Sequence, residues 1–325
     1  MKIKRLDLRD SIGVILFLAI FAFFSIATQG KMFSPFNLTI LIEQSMFCII
    51  VGCGAIFVVA QGSIDLSVGV NLALSGVVSL GITLAVGIPW LLFPIACLVG
   101  LGVGLFNGVV VSKFKVSSFM VTISLLIALR GIVNFIQSNI DMQPLPAELI
   151  GLNTFSTRLI AFLVVVVIMV YLFEYTKLGK YCKAIGENEA TARETGVPIV
   201  KTKMIAFGLS GLMAGVAALF TLISLGGSNT TMGVFFEMDV ATAIYLGGVL
   251  VTGGSSAKIY KVFLGSFMIK MIRNGLALLG LGTPQAYEIV QGVVLLLILV
   301  ATIIAHQRHK ATSGAIRETP DEDKL

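Results

Sequence analysis

The polar side chains able to bind or hold anything are few in this sequence, and they sit in definable places. Asp65 and Ser67 follow Gly62 in the segment Gln61-Gly62-Ser63-Ile64-Asp65-Leu66-Ser67-Val68-Gly69. Two compatible roles are open to Asp65. As a helix cap it accepts a hydrogen bond from a free N–H where the next apolar run begins. As an acid set among apolar runs it faces protein or water beside a broken helix, since an acid costs about 3 kcal/mol near a bilayer centre. Lys270, Arg273 and Asn274 are spaced i, i+3 and i+4, which places them on one helical face. They either line a polar vestibule or enter ion pairs. Arg130 stands alone in an apolar run, with Glu237, Asp239 and Glu288 as candidate partners. Cys48, Cys53, Cys97 and Cys182 form no CxxC pair and read as small packing residues. The only two histidines, His306 and His309, lie near the C-terminus. That placement excludes the usual zinc and Ser-His-Asp chemistries. Gly30-Lys31 and Gly179-Lys180 lack the upstream glycine and the following Ser or Thr of a phosphate loop. No catalytic residue, metal or cofactor is expected.

The elements that must carry these residues are membrane spans. Of the 325 residues, 57% are hydrophobic and 12% charged, and the mean hydropathy is +0.99. A soluble domain carries about a quarter charged residues, so this apolar excess exceeds what one globular core hides. About 20 helical residues cross a bilayer core. Ten windows qualify as spans: 12–28, 38–60, 67–86, 90–111, 117–137, 159–173, 204–225, 239–252, 262–281 and 286–305. The windows 159–173 and 239–252 are short. Basic residues before the first window also describe a signal peptide, but nine further spans favour an uncleaved anchor. The expected organisation is a short N-terminus (1–11), an all-α transmembrane domain (12–305) with a long loop at 174–203, and a polar tail (306–325). Spans two to five and seven to ten start on opposite sides, which suits an inverted repeat. Gly100, Gly104 and Gly108, and Gly211 with Gly215, stand at the GxxxG spacing that lets helices approach in lipid.

Charge sets the orientation. With the N-terminus inside, 18 of the 23 lysines and arginines fall on inside segments and only Lys31 and Arg158 outside. That asymmetry predicts both termini and the 174–203 loop to be cytoplasmic. The net charge of +6 therefore follows topology and gives no nucleic-acid footprint. Within the loop, 184–196 predicts a short helix. Glu187 and Glu189 suit its first turn, Glu189 and Arg193 are spaced for an i,i+4 pair, and Gly196 with Pro198 end it. Such a helix is either a handle for a soluble partner or an ordinary solvated loop.

These segments resemble the sugar-transport permeases of ATP-binding-cassette importers, the family that includes ribose and galactose permeases. Residues 62–69 match a Gly-Gly-Ile-Asp-Leu-Ser-Val-Gly hallmark, with Ser63 replacing the second glycine. Residues 184–196 match the cytoplasmic loop pattern, with Glu187 in place of a glycine and Thr191 in place of an alanine. Phe236-Glu237-Met238-Asp239, Gly247-Gly248, Gly253-Gly254 and Asn274-Gly275-Leu276 extend the likeness over about residues 12–305. The stretch Ser255–Lys261 departs from the family pattern, which there continues with glycine and small uncharged residues. The resemblance implies a type II importer permease in a bacterial inner membrane, paired with an identical or paralogous second permease. It implies an ATPase subunit on the cytoplasmic face, a solute-binding protein outside, and passage of a pentose or hexose. It places ATPase coupling on Gly186, Glu187, Asn188, Glu189, Ala190, Ala192, Arg193 and Gly196. Gly62, Asp65, Ser67, Arg130 and Asn274 become candidates for the path or gate. The same architecture also suits a nucleoside, a furanosyl signalling molecule or a branched-chain amino acid. An ion-coupled carrier would need acids or histidines paired at mid-depth, and the spans lack histidine.

Overall fold

A computed structural model describes residues 8–139 and 144–315 of the chain. Lys2, Lys4 and Arg5 of the basic N-terminus and the end of the polar tail lie outside the described residues. The first half contains α1 (Leu8–Ala27), α2 (Pro35–Val59), α3 (Val68–Val86), α4 (Leu92–Lys113) and α5 (Ser118–Asn139). Next come a single turn, α6 (Ala147–Ile150), and α7 (Phe155–Val170), which a π turn extends through Tyr175. Two short helices follow, α8 (Lys177–Glu187) and α9 (Glu189–Glu194). The chain then builds α10 (Ile199–Leu225), α11 (Phe236–Leu246), α12 (Ile259–Leu278) and α13 (Pro284–Ala315).

Each predicted window overlaps a helix, 239–252 the least completely, and local chemistry explains the ends. Ser34 caps α2 through its hydroxyl, with Pro35 at the first position. Gly87 and Gly226 end α3 and α10 in the left-handed conformation. Among the described residues six helices are long and apolar enough to cross a membrane. α12 has the length but carries Lys261, Lys270 and Arg273. The window 239–252 is corrected: α11 stops at Leu246 because Gly247-Gly248 turns the chain, Gly248 having φ 94°. Its 11 residues rise about 16 Å, half of a bilayer core. The tail expected after residue 305 is helical through Ala315.

α2 runs through the middle of the bundle and is buried continuously from Cys48 to Ala60. Its Phe57 meets Phe173 edge to face, 4.9 Å between ring centres. Between lipid-solvated helices apolar burial gives little drive, so close packing must hold the bundle. The predicted glycine steps do this to each other. A Cβ on Gly104 would lie 2.3 Å from the Phe207 carbonyl oxygen, and one on Gly211 would lie 2.2 Å from that of Gly100. α4 and α10 therefore cross backbone to backbone.

The neighbour pattern repeats. α3 packs on α4 and α5 as α11 packs on α12 and α13, and α4 packs on α10 as α12 packs on α2. The half-length α11 and the loop before it thus correspond to α3 and the Gly62–Ser67 segment.

Candidate functional site

Two buried polar centres occupy these corresponding places. The first is built on the link between α2 and α3. Gly62, with φ 69°, lets the chain turn after α2 where other residues would be strained. Asp65 follows and is buried. One of its oxygens accepts from the Ser67 amide at 3.0 Å and the Ser67 hydroxyl at 2.7 Å; the other accepts from Ser210 of α10 at 2.8 Å. Ser67 also accepts from Asn107 of α4 at 2.8 Å. The capping role is corrected in detail. Asp65 holds the Ser67 amide, two residues on, and reaches no N–H inside α3. Its carboxylate joins three elements rather than closing one helix end.

The second centre surrounds Asp239 at the start of α11. Its carboxylate accepts from Lys270 Nζ at 2.5 Å, Tyr287 Oη at 2.6 Å and Gln291 Nε2 at 3.0 Å. Arg273 lies 3.8 Å away over the Tyr287 ring. Lys270 and Arg273 therefore converge on one acid, whereas Asn274 turns elsewhere and exchanges amide hydrogen bonds with Asn37 of α2, at 2.9 and 3.0 Å. Among the described residues Arg130 has no ion-pair partner. It donates to the carbonyls of Met232 and Gly233 at 3.0 and 2.9 Å and so braces the loop leading into α11. Glu237 packs beside it and fills the space over Gly69 of α3, where a Cβ would meet its carboxylate at 2.0 Å. This contact joins the two centres. Ser210, Asn107, Tyr287 and Gln291 were missed by the sequence reading. Tyr287 and Gln291, spaced i,i+4 in the last apolar run, were the available signal.

The 184–196 segment departs from its expected form. Asn188 adopts an extended backbone and caps a new helix, accepting from the Thr191 amide at 3.0 Å. Gly186 and Glu187 therefore close α8 instead of opening a single helix. Gly186 is required for close approach, because a Cβ there would lie 2.1 Å from the Ala60 carbonyl oxygen and 2.5 Å from the Gly254 nitrogen. Glu187 accepts from the Ser255 amide at 2.7 Å, so two residues that depart from the family pattern contact each other. Hydrogen bonding from Ser255, its hydroxyl first and its amide second, holds the Glu187 carboxyl below its ordinary range. Glu174, which sequence reading passed over, accepts from Lys183 at 2.8 Å and from the Ile259 amide at 2.9 Å. The predicted Glu189–Arg193 pair is present at 3.2 Å, and Lys203 adds a bond to Glu189 at 2.7 Å. These cations, Lys203 foremost, lower the Glu189 carboxyl. Ala192 is buried with Ile185 and Ile199, whereas Ala190 is exposed. Gly196, φ 82°, ends α9 as expected.

Long apolar helices joined through two buried polar centres, with a braced helical elbow at one end, define a polytopic membrane permease. Residues 37–299 match the family described as branched-chain amino acid transport system / permease component, and the chain belongs to that family, which is a transport component and not an enzyme. It is similar to the ribose import permease protein RbsC of Escherichia coli K12, 30% identical over 288 residues, 81% of this chain and 85% of that one. It is similar also to the L-arabinose ABC transporter permease protein AraH of Azospirillum brasilense, 32% identical over 303 residues, 91% and 88%. The autoinducer 2 import system permease protein LsrC of Yersinia enterocolitica is 29% identical over 299 residues, 90% and 82%.

Proposed function

We propose that this chain is the membrane permease subunit of an ATP-driven importer and forms the path for a pentose or hexose. The observation that carries the reading is the likeness to ribose and arabinose permeases over four fifths or more of the chain; the 62–69 hallmark lies on the link between α2 and α3. An ATPase subunit would seat on α8–α9 at the cytoplasmic face, a solute-binding protein would dock at the other face, and a second permease, identical or paralogous, would complete the path. The charge asymmetry supports cytoplasmic termini in a bacterial inner membrane. α9 presents Ala190 outward, which suits contact with another protein. The carboxylates of Glu187 and Glu174 fasten the elbow to the start of α12, so displacement of α9 would be carried to the helix that bears Lys270. Gly62, Asp65, Ser67, Arg130 and Asn274 would act by holding the helices they link in register beside the path. Similarity to an autoinducer 2 permease supports a furanosyl signalling molecule as the second reading. ATP-dependent uptake by the reconstituted complex tests the proposal.

A further inference from the structure

We propose that the cleft where α9 meets α10 binds an anionic phospholipid, its phosphate held by Lys115, Arg193 and Lys201 and an acyl chain laid along Leu105, Met204 and Ile205. The cleft is an open groove of about 660 Å³, a volume within the usual range of small-molecule sites. Its polar lining is cationic. Among the described residues Lys115 and Lys201 have no ion-pair partner, and both are exposed. Arg193 contacts Glu189, but Lys203 shares that acid, so the rim keeps a positive excess.

The floor decides between a lipid and a protein as occupant. Leu105 lies eight residues before the end of α4 at Lys113, which is about 12 Å along the helix. Met204 and Ile205 lie in the second turn of α10. The cleft therefore runs from a cationic rim down between two spans, to a depth that an acyl chain fills and the surface of a soluble subunit does not. Below it the apolar face continues outward: Leu98, two turns from Leu105 on the same side of α4, is 65% exposed. A headgroup phosphate attracted at the rim and a chain continuous with the bilayer satisfy both halves of the site. Free phosphate would leave the floor empty.

The full-length chain, equilibrated with equal phosphatidylglycerol and phosphatidylcholine and released into the gas phase, gives the bound lipid directly by native mass spectrometry. Wild type is expected to retain phosphatidylglycerol preferentially. Each of Lys115→Gln, Arg193→Gln and Lys201→Gln should weaken retention about five-fold, and the triple variant about a hundred-fold. All three positions are exposed, so folding should survive. Leu105→Trp, which fills the floor and leaves the charges, should also reduce retention. Equal retention of the two lipids by wild type would overturn the proposal. So would unchanged phosphatidylglycerol retention in the triple variant, including the case in which that variant instead loses its ATPase subunit. Equal competition by soluble glycerophosphoglycerol would overturn it as well. The readout does not depend on which face is cytoplasmic or on what is transported, so failure of the importer reading would leave this result standing.

Discussion

Asp65 satisfies three donors with two oxygens, and removing the carboxylate strands Ser67 and Ser210 where water is scarce. Unsatisfied buried groups cost about 1–3 kcal/mol each. Asp65→Ala should therefore destabilise the bundle by about 3 kcal/mol, well above the loss of a simple cap. Asp65→Asn keeps an acceptor for Ser67 and should cost less than about 1 kcal/mol. Uptake per folded molecule, measured beside thermal stability in detergent, separates the roles: near-normal uptake with Asn and poor folding with Ala gives a scaffold, and a large uptake loss with Asn gives a gate. Glu187 behaves differently because it lies outside the spans. Its folded pKa is depressed below the ordinary 4.5 by the Ser255 bonds. The restraint it adds is therefore fully present above about pH 4.5 and is lost as pH falls through the depressed value. Exchange protection of the Ser255 amide, corrected for the intrinsic rate, should be flat from neutrality to about pH 5 and fall only below that. Glu187→Ala should show the low-pH behaviour at every pH.

Among the elements, the helices were legible because long apolar runs mark them locally, whereas their ends at Pro35 and Gly226 came from the structure. The division between α8 and α9 was less legible. Asn188 competes for a backbone N–H and starts a second helix, but the same residue is tolerated within helices, so only the contact of Gly186 with Ala60 fixes where the chain bends. Partners of the charged residues were legible only as a shortlist. Lys270 pairs with Asp239 and Arg130 with carbonyls about a hundred positions away, and no local signal ranks such contacts. The two alanines proposed for coupling now separate: Ala192 is needed inside, and Ala190 alone faces out. Ala190→Trp should leave folding and insertion intact and sharply reduce ATPase assembly or substrate-stimulated hydrolysis. Ala192→Trp should instead disrupt the α8–α10 packing itself. Subunit stoichiometry of purified complexes checks both. Wild-type assembly with Ala190→Trp would make α9 a connector only.

Across the whole molecule, the repeated neighbour pattern and the charge asymmetry make one topological expectation. Residues 144–150 lie at the C-terminal end of α10, where Leu145 bonds Gly226 at 2.9 Å, and α9 lies at the N-terminal end. The 27 residues of α10 separate them by about 40 Å. Single cysteines replacing Glu148 and Glu194, both exposed, should label from opposite sides of intact cells, with Glu148→Cys alone open to an impermeant external reagent. Labelling of both from outside would refute cytoplasmic coupling. The overall class was legible because a bilayer leaves its mark on composition, whereas the solute was not, because the polar groups of each buried centre hydrogen-bond to one another.

Reconstitution tests the central claim most directly. The chain is placed in proteoliposomes with the ATPase and solute-binding protein that co-purify with it, and accumulation of labelled ribose, arabinose and a hexose is followed. ATP supplied on the ATPase side should drive accumulation of at least one sugar only when the binding protein is present on the opposite side, and an imposed proton or sodium gradient without ATP should drive none. Accumulation of sugar driven by an ion gradient with the ATPase absent would contradict the account.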